Sequence, residues 1–482
     1  MVFNSFPFLI FFSVVLLLYY TIVRNRTTGQ NVVLLLASYF FYGYASMKLL
    51  PILVVATLVF YYLGIYMRKV DEEKASWLKV LGVVLGLGML GYFKYLNFFI
   101  ESFSSLLTVC GLTPNIHTLS IIMPLGISFF TFRLISYVIE VEQETMKPTR
   151  NFVNFATYVA FFPCILSGPI DRPDKFIPQL EQKRIWDWTL ATNGTMQILW
   201  GLFKKVVIAD NAAMVVDGVW ENVGAQYSST LVVVAFLYLF QLYADFSGYS
   251  DMAIGVGKLL GLRITSNFNY PLFALNISDF WRRWHISLTS WLTDYVYTPL
   301  SFAYRSWGQK GIMLAIITNF VLVGFWHGAN WNYGVYGLYH GLLFVPLILS
   351  GAFQKGDSIK TNKMGLPTLH CFSKMALTMV LVVIGLIIFR AEDMTLGWQF
   401  FTGMFTSSIT AIPGFAGIAN TNAIISIVYI AFMLVLDWIS RDKEFFLEDC
   451  KNGLLRYTMI IFFVLSIYYF GGDSASFVYF QF

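Results

Sequence analysis

Charged residues are scarce in this chain of 482 residues. Lysine, arginine, aspartate and glutamate together make up 12% of it, whereas hydrophobic residues make up 57%. So few charges cannot cover the surface of a water-soluble protein of this size, and the mean hydropathy of +0.65 points the same way. The composition therefore excludes an ordinary soluble domain and predicts a polytopic membrane protein.

Cysteine and histidine are also rare, with four and five residues respectively. Cys110, Cys164, Cys371 and Cys450 have no paired spacing, so the sequence predicts neither a disulfide framework nor a thiolate metal site. We expect the four cysteines to be small buried hydrophobic residues. No metal and no permanently bound cofactor is predicted, and the net charge of +5 is too modest to indicate a nucleic-acid partner.

Long apolar runs recur along the chain, and their number predicts roughly eleven transmembrane helices at about 20 residues for each crossing. Several runs are shorter than that. Segments 152–166 and 252–262 are candidates for re-entrant or buried helices that neighbouring helices shield. We therefore expect an all-α polytopic membrane protein in which residues 1–482 form one integral membrane domain.

Basic residues predict the orientation of these spans, because lysine and arginine collect in the cytoplasmic loops of membrane proteins. If the spans alternate, basic clusters such as 68–79 and 355–363 fall on the cytoplasmic side. Loop 101–120 has no lysine or arginine and belongs outside, as do His327 and both termini. The first apolar run follows no basic residue and precedes no small-residue cleavage site, so we expect a retained span rather than a secretory signal.

A breaker-rich segment runs from residue 161 to residue 175, where Gly168, Pro169 and Pro173 forbid a continuous helix. Irregular backbone at membrane depth is tolerated only where protein or water satisfies its polar groups. Two interpretations are open. The segment either lines a cavity or forms the exit from a span into the amphipathic stretch 176–188.

A second polar segment, 240–251, follows an apolar run and contains Asp245 and Asp251. A charged residue at the centre of a membrane helix costs about 2.5 to 3.5 kcal/mol on insertion scales, so we expect both carboxylates to face protein or water. They either form a polar cavity wall, or a span ends here and Asp251 caps the next helix.

The stretch from Phe280 to Tyr295 contains neither proline nor glycine and predicts a helix. Its tryptophans and leucines share one stripe with His285, which indicates an amphipathic helix of interfacial or cavity-lid character. A histidine on such a stripe is more often a hydrogen-bonded core residue than a catalytic one. His285 is therefore a candidate for either role.

Arg282 and Arg283 precede this histidine in the motif Asp279-Phe-Trp-Arg-Arg-Trp-His285. Guanidinium groups suit a phosphate or a carboxylate in bidentate geometry. The two arginines are equally suited to lipid headgroups, or to an ion pair with Asp279 one helical turn away.

His327 lies in Gly324-Phe-Trp-His-Gly328, at the predicted outer end of an apolar run. The small residues Gly324 and Gly328 let another helix approach closely, so one interpretation is a packing motif that happens to contain a histidine. The other is catalytic, because an imidazole with a near-neutral pKa in an apolar site is what a general base for hydroxyl attack requires.

Four signatures of the chain together resemble the membrane-bound O-acyltransferase family, and within it the bacterial branch that O-acetylates alginate and peptidoglycan. They are Met1-Val-Phe-Asn-Ser-Phe-Pro-Phe-Leu9, Ser167-Gly-Pro-Ile-Asp-Arg172, Asp279-Phe-Trp-Arg-Arg-Trp-His285 with Ser287 and Leu288, and Gly324-Phe-Trp-His-Gly328. They occur in the family's order over nearly the whole chain, which makes the combined resemblance specific.

The resemblance implies a ring of helices around a thinned centre, with His327 as the catalytic histidine at the floor of a funnel and His285 at the second motif position. It implies acetyl-CoA as the donor substrate, approaching from the cytoplasm of a bacterium. Arg282 and Arg283 are then candidates for contacts to the CoA phosphates. The implied acceptor is an extracytoplasmic polysaccharide, reached through an SGNH-hydrolase-like acetyltransferase, with membrane lipids around the protein.

The tail 471–482 ends in Phe477-Val-Tyr-Phe-Gln-Phe482. Similar terminal motifs around a tyrosine are implicated in this branch as acyl carriers, so the resemblance implies that Tyr479 is a third catalytic residue. The alternative is an aromatic anchor, because aromatic residues are common at membrane interfaces.

Two other functions fit the composition. A polytopic transporter that exports a polysaccharide or lipid would explain the spans and the polar membrane centre without covalent acyl chemistry. A noncatalytic scaffold of a secretion complex would need neither histidine.

Overall fold

The computed structural model describes residues 1–114, 117–353, 358–415, 420–448, 450–472 and 477. Over these ranges the chain is helical, and its extended pairing is limited to an isolated antiparallel bridge between Thr361 and Pro367. The predicted all-α fold class is confirmed.

The first eleven helices are α1 (Phe6–Leu17), α2 (Thr27–Ser46), α3 (Leu50–Met67), α4 (Glu72–Leu90), α5 (Leu96–Val109), α6 (Ile127–Glu142), α7 (Phe152–Ala160), α8 (Pro173–Glu181), α9 (Trp188–Phe203), α10 (Asp210–Trp220) and α11 (Ser228–Leu259). The others are α12 (Ile277–Arg283), α13 (Ile286–Leu292), α14 (Thr298–Ala303), α15 (Gln309–His327), α16 (Trp331–Leu343), α17 (Val345–Leu349), α18 (Leu369–Arg390), α19 (Met394–Gly403), α20 (Asn420–Ile439) and α21 (Gly453–Phe470).

These helices belong to two compact units. The first comprises Met1–Thr195 with Ala253–Thr265, and the second comprises Met196–Met252 with Ser266–Phe482. The predicted site residues that the structure describes, Arg282, Arg283, His285 and His327, belong to the second unit.

Among the described residues, seven helices are long and apolar enough to cross a membrane. They are Leu50–Met67, Glu72–Val109, Ser228–Leu259, Gln309–His327, Leu369–Arg390, Thr421–Ile439 and Gly453–Phe470, and a shorter apolar helix covers Phe6–Ile22. The multi-span architecture is therefore confirmed, whereas the expected number of about eleven spans stays a prediction.

Helix α6 is the core of the first unit and is buried along nearly its whole length. Glycines on neighbouring helices let it approach closely. A Cβ atom at Gly86 of α4 would lie 2.8 Å from the side chain of Ile135, and one at Gly64 of α3 would overlap the ring of Tyr137. Small residues at such contacts are how membrane helices pack tightly.

The breaker-rich segment is held in place by α6. The guanidinium of Arg133 donates to the backbone carbonyls of Tyr158 (2.7 Å) and Pro169 (3.1 Å), and the Tyr158 hydroxyl donates to the carbonyl of Asp171 (3.1 Å). Residues 161–171 are all buried. Protein groups therefore satisfy this irregular backbone, as its predicted depth in the membrane requires.

Of the two segments predicted to be short buried helices, one is confirmed. Helix α7 is short, and its residues from Asn154 onward are buried. Segment 252–262 is not a separate helix, because α11 continues without interruption to Leu259.

The four cysteines are free thiols. Cys164 and Cys371 are buried, whereas Cys110 is exposed and Cys450 is partly exposed. The expectation of four buried cysteines is therefore wrong for two of them.

Candidate active site

His327, one of the predicted catalytic residues, lies on a hairpin formed by α15 and α16. Helix α15 begins at Gln309 and ends at His327, after which Gly328 is extended. The side chain of Asn330 accepts a hydrogen bond from the backbone N–H of Asn332 (3.1 Å) and so caps α16. This connection places His327 at the last position of α15, close to the start of the next helix.

Glycines bring α15 and α16 into backbone contact. A Cβ atom at Gly324 would overlap the carbonyl oxygen of Tyr333, and one at Gly337 would overlap the carbonyl oxygen of Phe320. A Cβ atom at Gly328 would overlap the Tyr333 ring. The prediction that Gly324 and Gly328 permit a close helix approach is confirmed.

His327 is buried in an aromatic cluster and is 5% exposed. Its imidazole centroid lies 4.9 Å from the ring centroid of Trp326 and 5.0 Å from that of Phe389, both in edge-on geometry. The ring of Tyr336 is 6.2 Å away. Phe389 belongs to α18, so α15, α16 and α18 together enclose this imidazole.

His285 lies at a break between two short helices. The predicted single helix from Phe280 to Tyr295 is wrong, because α12 ends at Arg283 and α13 begins at Ile286. His285 has a left-handed backbone (φ 46°, ψ 51°), a conformation that histidine adopts more readily than most other non-glycine residues. Its Nδ1 accepts a hydrogen bond from the backbone N–H of Leu288 (3.3 Å) and thereby caps α13.

This cap fixes which nitrogen of His285 carries the proton. A neutral imidazole has one donor and one acceptor nitrogen, and Nδ1 is the acceptor here. Burial lowers the pKa of His285 to about 3, so the ring is neutral at pH 7. His285 therefore presents an Nε2–H donor and does not act as a base through Nδ1.

Trp326 contacts both histidines. The imidazole centroid of His285 lies 5.5 Å from the indole centroid, and that of His327 lies 4.9 Å from it. Phe246 of α11 also packs against His285, with centroids 4.6 Å apart. The two predicted catalytic histidines thus share one indole, although α13, α14 and the rest of α15 lie between them along the chain.

His340 on α16 joins the two sequence motifs. Its Nδ1 accepts a hydrogen bond from the indole N–H of Trp281 on α12 (3.3 Å), and its ring lies 4.6 Å from that of Tyr336. His340 holds the segment before His285 against the helix that encloses His327.

The two arginines of the motif have different surroundings. Arg283 donates from Nε to a carboxylate oxygen of Asp279 (2.8 Å) and from Nη1 to the carbonyl of Asn269 (3.3 Å). This confirms the interpretation that Asp279 pairs with an arginine one turn away. Arg282 is exposed, so it is the better placed of the two for a ligand phosphate.

A buried ion cluster joins α11, the π-helical turn Lys204–Ala209 and the first residue of α10. Lys205 pairs with Asp245 (2.7 Å) and Asp210 (2.8 Å), and Lys204 pairs with Asp251 (2.6 Å). The expectation that Asp245 and Asp251 face protein or water is confirmed. The interpretation that Asp251 caps a new helix is wrong, because α11 runs through both aspartates.

Sequence reasoning missed Lys204 and Lys205. The available signal was their position inside the apolar run 195–208, where charged side chains require partners. Asp245 and Asp251 lie 40 and 47 positions after Lys205 and Lys204, so no local pattern identifies these two carboxylates as their partners.

Tyr479 lies outside the described residues. Two other positions of the tail, Gly472 and Phe477, belong to the described residues. The backbone N–H of Gly472 donates to the carbonyl of Val206 (3.0 Å), and Phe477 is 2% exposed with its ring centroid 4.3 Å from Lys205 Nζ.

The family model described as MBOAT, membrane-bound O-acyltransferase family, matches residues 34–364, which include His285 and His327. A probable alginate O-acetylase AlgI from Azotobacter vinelandii is 36% identical over 372 residues, 76% of this chain and 70% of that protein. A probable alginate O-acetylase AlgI from Pseudomonas putida is 33% identical over 468 residues, 92% of each chain. A peptidoglycan O-acetyltransferase from Helicobacter pylori is 31% identical over 453 residues, 87% of this chain and 77% of that protein.

Proposed function

The chain belongs to the membrane-bound O-acyltransferase family and is an O-acyltransferase, and we propose that it transfers acetyl groups from cytoplasmic acetyl-CoA to the outer side of a bacterial cytoplasmic membrane. The final acceptor in this proposal is a polysaccharide, the substrate class that the names of the relatives suggest. Both termini lie on the outer side.

The observation that carries this proposal is the pair of histidines packed against Trp326. One of them, His285, is a fixed Nε2–H donor. The other, His327, stands at the end of a helix whose position is set by backbone contacts. A donor and a base held on one rigid wall are what acyl transfer to a hydroxyl requires.

In the proposed reaction, His327 accepts the proton of the Tyr479 hydroxyl while the phenolic oxygen attacks the thioester carbonyl carbon of acetyl-CoA. A C–O bond forms as the C–S bond breaks, and the departing CoA sulfur takes up the proton from His327. General-base assistance of this kind contributes about 10²- to 10⁴-fold in rate.

His285 supports the same step from its protonated nitrogen. The carbonyl oxygen of the thioester gains negative charge as the attack proceeds, and an Nε2–H donor stabilises that charge. Arg282, which is exposed, contacts a phosphate of CoA. Arg283 stabilises the fold through Asp279 instead.

The second transfer takes place outside the membrane. An SGNH-hydrolase-like acetyltransferase passes the acetyl group from the tyrosine ester to a polysaccharide hydroxyl, which regenerates the free Tyr479 hydroxyl. The burial of Phe477, two positions before Tyr479, supports this role, because an interfacial anchor would leave its aromatic rings at the membrane surface.

The experiment that tests the proposal incubates the purified chain with acetyl-CoA labelled in its acetyl group. We expect one acetyl group on Tyr479, located by mass spectrometry of the C-terminal peptide. A protein that binds or moves a polysaccharide but never acquires the label would be a transporter, and the proposal would be wrong.

A further inference from the structure

The ion cluster around Lys205 has no part in the chemistry proposed above. Lys205 Nζ lies 2.8 Å from Asp210 and 2.7 Å from Asp245, and all three side chains are 1 to 2% exposed. A buried ion pair adds little net stability, because the cost of desolvating the charges offsets most of their attraction. Ionisable residues buried in a membrane protein therefore indicate a function.

The C-terminal chain lies directly on this cluster. Asn211 Nδ2 donates to the backbone carbonyl of Phe470 (2.8 Å), and the backbone N–H of Gly472 donates to the carbonyl of Val206 (3.0 Å). Phe477 then places its ring centroid 4.3 Å from the Lys205 ammonium. Its ring is also edge-on to that of Tyr249, with centroids 5.1 Å apart.

Helix α11 connects this contact with the histidine site. Asp245, Phe246 and Tyr249 follow one another within little more than one turn of that helix. Phe246 packs against His285, and Tyr249 packs against Phe477. The tail therefore binds the same part of α11 that forms one wall of the histidine cluster.

We propose that Lys205, oriented by Asp210 and Asp245, is the binding seat of the C-terminal segment, and that it holds Phe477 so that Tyr479 reaches the histidine site. This inference rests on the proposed carrier role of Tyr479. Tyr479 follows Phe477 by two residues, and two residues of extended chain span at most about 7 Å. Lys205 is a positioning residue in this arrangement.

The two aspartates explain how Lys205 alone can bind the ring of Phe477. An ammonium group has three N–H donors, and the carboxylates of Asp210 and Asp245 orient two of them. An aromatic ring attracts a cation through its negative face, and the attraction is greatest where water is excluded. Leucine at position 477 would keep the apolar contact but remove this attraction.

The inference can be tested in the full chain with a photoreactive phenylalanine analogue, p-benzoylphenylalanine, at position 477. We expect cross-links to peptides that contain Lys205–Asp210 or Asp245–Tyr249. Cross-links only to other parts of the chain would overturn the proposed seat. This readout requires no acetyl transfer.

Substitutions give the second measurement. We expect Phe477→Leu to reduce acetylation of Tyr479 by roughly five- to thirtyfold, the range of a buried cation–π contact, and Phe477→Trp to retain it. Lys205→Arg should also retain most labelling, because it keeps the charge. Tyr468→Leu is the matched control, since Tyr468 is 79% exposed on α21.

Phe477→Leu leaves the three charged side chains of the ion cluster unchanged, so it separates binding of the tail from folding. Full labelling in Phe477→Leu would overturn the inference. If Tyr479→Phe still acetylates the polysaccharide while position 477 still cross-links to the cluster, the carrier role fails and the seat stands. If Tyr479 is acetylated but the cross-links lie elsewhere, the seat fails and the carrier role stands.

Discussion

The imidazole of His285 lies edge-on to the indole of Trp326, with ring centroids 5.5 Å apart. Trp326 directly precedes His327, so this one contact fixes the donor histidine against the helix end that carries the proposed base. The two roles can be separated by experiment because the two histidines are held by different means. His285 is held by its own backbone and cap, whereas His327 is held by the close packing of α15 and α16.

We predict that His327→Gln greatly reduces the rate of acetyl transfer while the protein stays folded. Glutamine has a similar volume and polarity but cannot accept the hydroxyl proton, so the rate should fall by about 10²- to 10⁴-fold. The measurement is label transfer from acetyl-CoA with the purified variant. His117→Gln, at an exposed position, is the matched control and should transfer normally. Transfer within a few-fold of the wild type in His327→Gln would remove His327 as the base.

The variants His285→Asn and His285→Ala should differ from each other in stability, and both should lose activity to the same extent. Asparagine tolerates the left-handed backbone and can cap α13, so His285→Asn should unfold near the wild-type temperature. Alanine loses the cap, at a cost of about 1 kcal/mol, and fits the left-handed conformation poorly.

Both His285 variants lose the Nε2–H donor, and transfer should fall by about 10²- to 10³-fold in each. Thermal unfolding in detergent and label transfer are measured on the same samples. Normal transfer by His285→Asn would show that the imidazole serves only as a cap.

Tyr479→Phe should eliminate acetylation of the C-terminal peptide and of the polysaccharide, because it removes the nucleophilic oxygen and keeps the ring. Tyr468→Phe removes a hydroxyl from an exposed position and should have no effect. The measurement is mass spectrometry of both products from cells that express each variant. Normal polysaccharide acetylation by Tyr479→Phe would mean that the tail acts as an anchor.

Gly324→Ala should destabilise the protein by about 1 to 3 kcal/mol or more, because the added methyl group overlaps the backbone carbonyl of Tyr333 and no rotamer relieves the overlap. Gly88→Ala on α4 adds the same methyl group where no atom lies within 4 Å. It should be neutral or slightly stabilising. Thermal unfolding in one detergent compares the two variants, and an equal loss in both would contradict the packing argument.

The sequence predicted the features that depend on local chemistry. The close helix approach at Gly324 follows from small residues beside an apolar run, and the placement of Asp245 and Asp251 toward protein or water follows from the cost of charge in a membrane. Both are present in the structure.

The break at His285 was not predictable from the same reasoning. No proline or glycine marks it, and the periodicity of the tryptophans continues across it. The break exists because a histidine can both adopt a left-handed backbone and cap the following helix. The pairing of Lys205 with Asp245 was missed for another reason, since it joins helices that only tertiary packing brings together.

The contact between α15 and α16 at Gly324 also determines how the site can move. Side chains that meet across a helix interface can change rotamer, but at Gly324 backbone meets backbone, and no rotamer is available. The end of α15, which carries His327, therefore has little room to shift against α16 at Gly324. Any difference in the space for longer or shorter acyl groups must accordingly come from the side chains around the histidine, such as Trp326 and Phe389, and not from the backbone at Gly324.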